Sequence, residues 1–172
     1  LVVEMREGKI CPVLIGSAEH GNGVGRLLKA IRHEAPSVAD TAARLGVDTA
    51  GDAIVQVMKT VHTPHGGKLS IARILSGEIK TGERVALVRP TKPGGPANGP
   101  TSTVAEVFRV RKLLGFQGLR RFERDSAQAG DIVAISGMES LEVGDSVTTE
   151  DPTTRTVFPR LDVDPPTMTM RF

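Results

Sequence analysis

Along the chain the spacing of apolar residues changes once, near residue 52. Before that point, Val24, Leu27, Leu28, Ile31 and Ala35 recur at helical intervals and Pro36 ends the run. Ser37 to Gly46 predicts a second short helix, with Val38, Ala42 and Leu45 on one side and Gly46 as the residue just past its end. Ahead of both, Pro12-Val-Leu-Ile-Gly16 reads as a short buried strand. A strand, a Gly-rich turn and a helix make half of an α/β layer.

After residue 52 the period becomes that of strands. Ala53–Thr63, Lys68–Leu75, Arg84–Arg89, Thr103–Leu113, Ile132–Ile135 and Ser146–Thr149 are apolar-rich or alternating runs punctuated by Gly and Pro. Pro90–Pro100 holds four Pro and three Gly and is expected to be an exposed loop. Many short strands between such turns predict a mainly β chain closed into an antiparallel barrel, behind a short α/β remnant. The expected division is 1–36, a linker with a short helix at 37–52, a barrel at 53–160 and the start of a further domain at 161–172. The chain opens on Leu1 without an initiator Met and stops within the alternating run Thr167–Phe172. Both ends read as cuts in a longer protein.

Composition adds that the chain is globular: 39% hydrophobic, 24% charged and only 3% aromatic, so its core must rest on Val, Ile and Leu with five Phe. No apolar run approaches the roughly 20 residues that span a bilayer, and no signal segment is visible. One cysteine, Cys11, forms no intrachain disulfide, which suits a reducing, cytoplasmic compartment; its apolar neighbours predict a buried thiol. The net charge of +2 conceals a division. Residues 59–124 carry 13 basic and 4 acidic side chains, whereas 125–172 carry 3 and 9. The middle third suits a polyanionic partner, and pairing between basic and acidic strands of one barrel accounts for it equally well.

Catalytic motifs are weak. Gly21-Asn-Gly-Val-Gly25 has the composition of a phosphate-binding turn but neither the G-x-G-x-x-G spacing nor the following acidic strand end, and a tight turn explains it. Gly77–Gly82 is followed by Glu83 where a P-loop needs Lys and then Ser or Thr, so the chain alone is expected not to hydrolyse GTP. His62 and His65 straddle Pro64 without Cys or acidic neighbours, so no metal site is expected. Ser17 lacks the context of a hydrolase nucleophile.

Two longer stretches are more specific. Val13-Leu-Ile-Gly-Ser-Ala18, followed by Gly23-Val-Gly-Arg-Leu-Leu-Lys-Ala-Ile31, resembles the end of the GTPase domain of elongation factor G. Val57–Thr60 and Thr63-Pro-His-Gly-Gly-Lys-Leu-Ser-Ile-Ala-Arg-Ile-Leu75 through Val85 resemble the opening of domain II of that family, and Ala129-Gly-Asp-Ile-Val-Ala-Ile135 and Gly144–Val147 resemble its later strands. Val163-Asp-Pro-Pro-Thr-Met-Thr-Met170 is similar to the beginning of domain III, and its Asp-Pro-Pro-Thr also resembles the BipA or TypA family of ribosome-associated GTPases. The motifs fall in the family's order over nearly the whole chain.

The resemblance implies a piece of a GTP-dependent translation elongation factor engaged in translocation, with a BipA/TypA-like domain or a nucleotide-independent RNA- or protein-binding barrel as alternatives. It implies GTP with magnesium in the parent protein and no cofactor or metal in this piece. Ser17 and Ala18 are the implied contacts to the guanine base. The barrel is implied to dock on small-subunit ribosomal RNA and on its own GTPase domain, away from any membrane. Lys68, Arg73, Arg89, Lys92, Arg109, Arg111 and Lys112 are the basic side chains available for RNA phosphates. With no Tyr or Trp, base stacking is not expected to dominate.

Overall fold

A computed structural model describes residues 2–47, 49–63, 67–90 and 102–149. Lys92, the Pro-rich loop and the stretch after Thr149 therefore lie outside the described residues. The chain divides into two compact units, 1–49 and 50–172.

The first unit holds α1 (Val2–Arg6), α2 (Val24–Glu34) and α3 (Val38–Leu45). The α3 boundaries follow from its ends. Ser37 caps the amino end by accepting from the Asp40 N–H, while Asp40 accepts in return from the Ser37 N–H at 2.9 Å. Gly46, at φ 68°, turns the chain left-handed, and the Val47 N–H reaches back to the Ala42 carbonyl at 3.0 Å. α2 has the expected spacing, yet none of its residues is buried.

Residues 12–16 do not form the expected buried strand. They have no ladder partner among the described residues, and Val13 and Ile15 stand 85% and 93% exposed. Cys11 is likewise exposed, not buried. The reason is common to both: an extended apolar segment is buried only where neighbouring strands satisfy its backbone, and none is described beside it.

The second unit is β. Its strands are β1 (Ile54–Thr63), β2 (Gly67–Ser76), β3 (Glu78–Lys80), β4 (Arg84–Pro90), β5 (Ser102–Arg109), β6 (Lys112–Gln117), β7 (Arg120–Arg124), β8 (Ser126–Gln128), β9 (Ile132–Ser136) and β10 (Ser146–Thr149). Eight form one sheet in the order β5-β4-β10-β1-β2-β9-β6-β7, and β3 pairs with β8 separately. All described pairings are antiparallel. Phe108 on β5 and Leu113 on β6 lie far apart in ladder order but belong to one core cluster with Val55, Ile74, Val85, Leu87, Ile135 and Val147. A flat sheet could not bring them together, so the sheet curls around that core. Register shifts at Ile54/Val55, at Val57/Lys59 and at Leu87/Val88 supply extra residues that sharpen the twist.

The expected closed barrel is corrected in one respect: among the described residues no sheet closes on itself by hydrogen bonds. β5 and β7 end the ladder and do not pair with each other. The expected single strand Thr103–Leu113 is the cause. It bends at Val110-Arg111, so its first half pairs with β4 and its second with β9. At the bend the Val110 N–H donates to the Glu83 carbonyl and the Arg111 N–H to that of Ser136. Covalent continuity thus joins the two sides of the curl where a ladder was expected.

Gly77 marks the tightest crossing. At φ 63°, a Cβ there would lie 2.5 Å from the Gly51 carbonyl oxygen and 2.7 Å from the Ala53 nitrogen, both main-chain atoms. Gly82 has φ 86° and open space around it. Gly77→Ala should therefore cost clearly more than Gly82→Ala, which carries only the left-handed backbone penalty of roughly 1–2 kcal/mol. Denaturant midpoints at constant m-value compare them; equal costs would contradict the crossing.

A second prediction concerns α3. Hydrogen bonds from the Ser37 backbone, then from its hydroxyl, hold the Asp40 carboxyl below its ordinary 3.8. A lowered folded value means the cap contributes above the ordinary value and is lost as pH falls through the lowered one. Protection factors at Asp40 and Thr41, taken relative to intrinsic exchange at each pH, should fall on acidification across that window, and protection that ignores pH there would exclude the cap.

Candidate functional site

The loop between β9 and β10 gathers most of the basic candidates. Its inner side chains, Met138 and Leu141, are buried in the core. Its outer backbone is bound by cations. Lys68 Nζ donates to the Glu139 carbonyl at 2.9 Å, and Arg89 Nη2 to the Ser140 carbonyl at 3.1 Å. Ser140 Oγ donates to Glu106 Oε2 at 2.7 Å, so the loop also meets β5. At the loop's start a Cβ on Gly137 would lie 2.7 Å from Arg111 Cγ and 3.0 Å from the Arg109 carbonyl.

Arg89 and Asp145 fix the other end of the loop. The guanidinium grips the carboxylate with both arms, Nε to Oδ1 at 3.2 Å and Nη2 to Oδ2 at 2.7 Å. Asp145 is almost fully buried and also accepts from the Glu142 N–H at 2.9 Å. The bond to Asp145 raises the Arg89 pKa above its ordinary range, with burial opposing it.

Four of the seven basic candidates, Lys68, Arg89, Arg109 and Arg111, thus border one loop, in two roles. Lys68 and Arg89 are committed to holding it. Arg109 and Arg111 are exposed, with no side-chain hydrogen bond or ion pair among the described residues. Arg73 lies elsewhere, half-buried in mid-sheet between Gln56 and Ile132. Lys112 is ion-paired with Glu123 across β6 and β7.

In the first unit, Ser17 and Ala18 sit in a tight turn before α2. The Ser17 N–H donates to the Asn22 carbonyl at 2.9 Å, and the Gly21 N–H to that of Ala18 at 3.3 Å. Gly16 is needed for this closeness, since a Cβ there would fall 2.6 Å from the Asn22 oxygen. The Ser17 amide is therefore engaged within the turn, and Ala18 is the one of the pair whose N–H is bonded to no described group. Among the described residues no cluster of His, Cys, Asp or Glu is placed to hold a metal, and no helix is long and apolar enough to cross a membrane.

Two features escape the sequence reading. Asp145 stands 56 residues from Arg89, too distant for local pattern to link them. The β6–β7 hairpin has a local signal, Gly118 opening a two-residue turn before Arg120-Arg121.

The elongation factor Tu domain 2 family model matches residues 67–148, the span that holds β2 to β9, most of β10 and the β9–β10 loop, with β1 preceding it. Residues 67–148 are similar to elongation factor Tu domain 2. The chain is 37% identical over 117 residues to the large ribosomal subunit assembly factor BipA of Bacillus subtilis, covering 68% of this chain and 17% of that protein. It is 32% identical over 136 residues to BipA of Escherichia coli K12, covering 79% of this chain and 20% of the relative. It thus spans about a fifth of the length of these curated relatives. GDP-bound aIF5B from Aeropyrum pernix shares the fold, with a TM-score of 0.54 and 22% identity over 83% of this chain and 23% of that one. The matched span bears the basic rim, and the Ser17–Asn22 turn precedes it in the chain.

Within that span, Arg89→Met should strand the buried Asp145 carboxylate and free the Ser140 carbonyl. The expected loss is roughly 1–3 kcal/mol, towards the lower end because Arg89 is about a third exposed. Urea unfolding measures it. An unchanged midpoint would show that the pair does not hold the loop.

Proposed function

We propose that the chain is part of a ribosome-associated, GTP-dependent translation factor of the BipA kind, whose domain 2 docks on ribosomal RNA of the small subunit. The observation that carries this reading is the domain 2 match at 67–148 combined with 37% identity to a large ribosomal subunit assembly factor. An elongation-factor-G-like translocase remains the second reading, supported by the order of motifs from Gly16-Ser-Ala18 to Gly144-Asp145. The relatives favour the assembly factor.

In this reading residues 1–36 close the GTPase domain, 37–52 link it to the barrel at 53–160, and 161–172 begin the next domain. GTP and magnesium belong to the longer protein, in the cytoplasm with its ribosomes. The Ala18 N–H is the donor suited to the guanine carbonyl, because that of Ser17 is engaged by Asn22. Arg109 and Arg111 contribute phosphate contacts, since they are exposed and uncommitted beside a loop that Lys68 and Arg89 hold still. Phosphate contact of this kind positions the domain without reading sequence.

The chain should associate weakly and salt-sensitively with small ribosomal subunits. Replacing Arg109 and Arg111 together by Ala should flatten the salt dependence by about one per lost contact. Sedimentation with purified subunits across a salt series is the test. Failure of the unmodified chain to bind at low salt would overturn the function, whereas an unchanged slope in the variant would remove only these two residues.

A further inference from the structure

We infer that the tip of the β6–β7 hairpin is a second RNA-docking element, a ribbon that enters a groove between two sugar–phosphate strands. Five registered pairs build the ribbon, ending in Gln117↔Arg120. Gly118 has φ 60°, and among the described residues no non-glycine residue takes a positive φ, so Leu119 follows in the second position of a type II′ turn. Such a turn matches the twist of the strands and presents its tip rigidly. Leu119 is fully exposed there, with Phe116 and Phe122 38% and 46% exposed behind it.

The charges around this tip are unbalanced. Of the carboxylates on and beside the ribbon, Glu123 is engaged by Lys112 and Asp131 by Arg124 at 3.1 Å, while Asp125 lies beyond the end of β7. Arg120 and Arg121 are exposed and have no side-chain partner among the described residues. Because directly opposed residues share a face, Arg120 lies with Gln117 on one face and Arg121 with Phe116 on the other. One cation on each side of a narrow ribbon, with an apolar residue leading, matches two phosphate rims flanking base and sugar edges.

A protein partner fits this arrangement less well. Half a standard protein interface needs about 800 Å² from one side in a contiguous patch, and a two-residue tip with its apolar side chains split between faces does not provide it. Phosphate contacts need no such area, because each cation acts by releasing counterions. The choice of RNA as the nucleic acid rests on the ribosome association proposed above.

The experiment uses the 172-residue chain and its Arg120→Ala/Arg121→Ala and Leu119→Ser variants, with circular dichroism confirming that they fold alike. Binding is measured across a salt series to intact small subunits and to the same ribosomal RNA freed of protein. The double variant should lose at least about tenfold in affinity for both, with the salt slope reduced by about 2. Leu119→Ser should weaken binding at an unchanged slope. If the double variant binds both targets as the unmodified chain does, the hairpin inference falls and the ribosome reading stands. If the unmodified chain binds subunits but not freed RNA, the occupant is a ribosomal protein, and the inference falls again. If it binds neither, the proposed function has failed first.

Discussion

The second unit depends on one run of chain serving two sides of a curled sheet. Residues 102–117 must pair with β4, turn at Val110-Arg111, and then pair with β9. Val110 is wholly buried at the bend, and both of its backbone partnerships with the Glu83 turn hold it there: its N–H goes to Glu83 and its carbonyl receives the Gly82 N–H at 2.8 Å. Straightening the run would expose Val110 and pull Phe108 and Leu113 out of a common core. Each such side chain contributes roughly 1.5–3 kcal/mol by leaving water, so the bend is strongly enforced.

That bend also arranges the surface. It turns Arg109 and Arg111 outward on either side of a buried residue and brings them to the start of the β9–β10 loop. The same loop is pinned farther along by Lys68 and by the Arg89–Asp145 pair. A rim of this kind can offer cations to a polyanion without first ordering them, which reduces the entropy lost on binding. The β6–β7 hairpin begins directly after the bend, so both proposed contact elements inherit their direction from it.

How much of this could be read in advance varied with the range of the interaction. α3 was legible because Ser37, Asp40 and Gly46 act within one or two turns of their own helix. The strands β1, β2 and β4 were legible because alternation is local. The bend in 102–117 was not, since no Gly or Pro interrupts 103–113, and only pairing with two different neighbours reveals the break. The strand expected at 12–16 failed for the complementary reason: apolar composition is local, but burial needs partners. Lys68 and Arg89 carried the right charge for RNA, yet their engagement with Glu139, Ser140 and Asp145 joins residues 51 to 71 positions apart.

We propose above all that the curled sheet meets RNA through the bend and the hairpin. Hydrogen exchange of the backbone, compared with and without small ribosomal subunits, tests it most directly. Slower exchange concentrated at 109–111 and 117–121 is the predicted result. Slowing confined to β3 and β8, or no slowing anywhere while the chain remains bound, would contradict it.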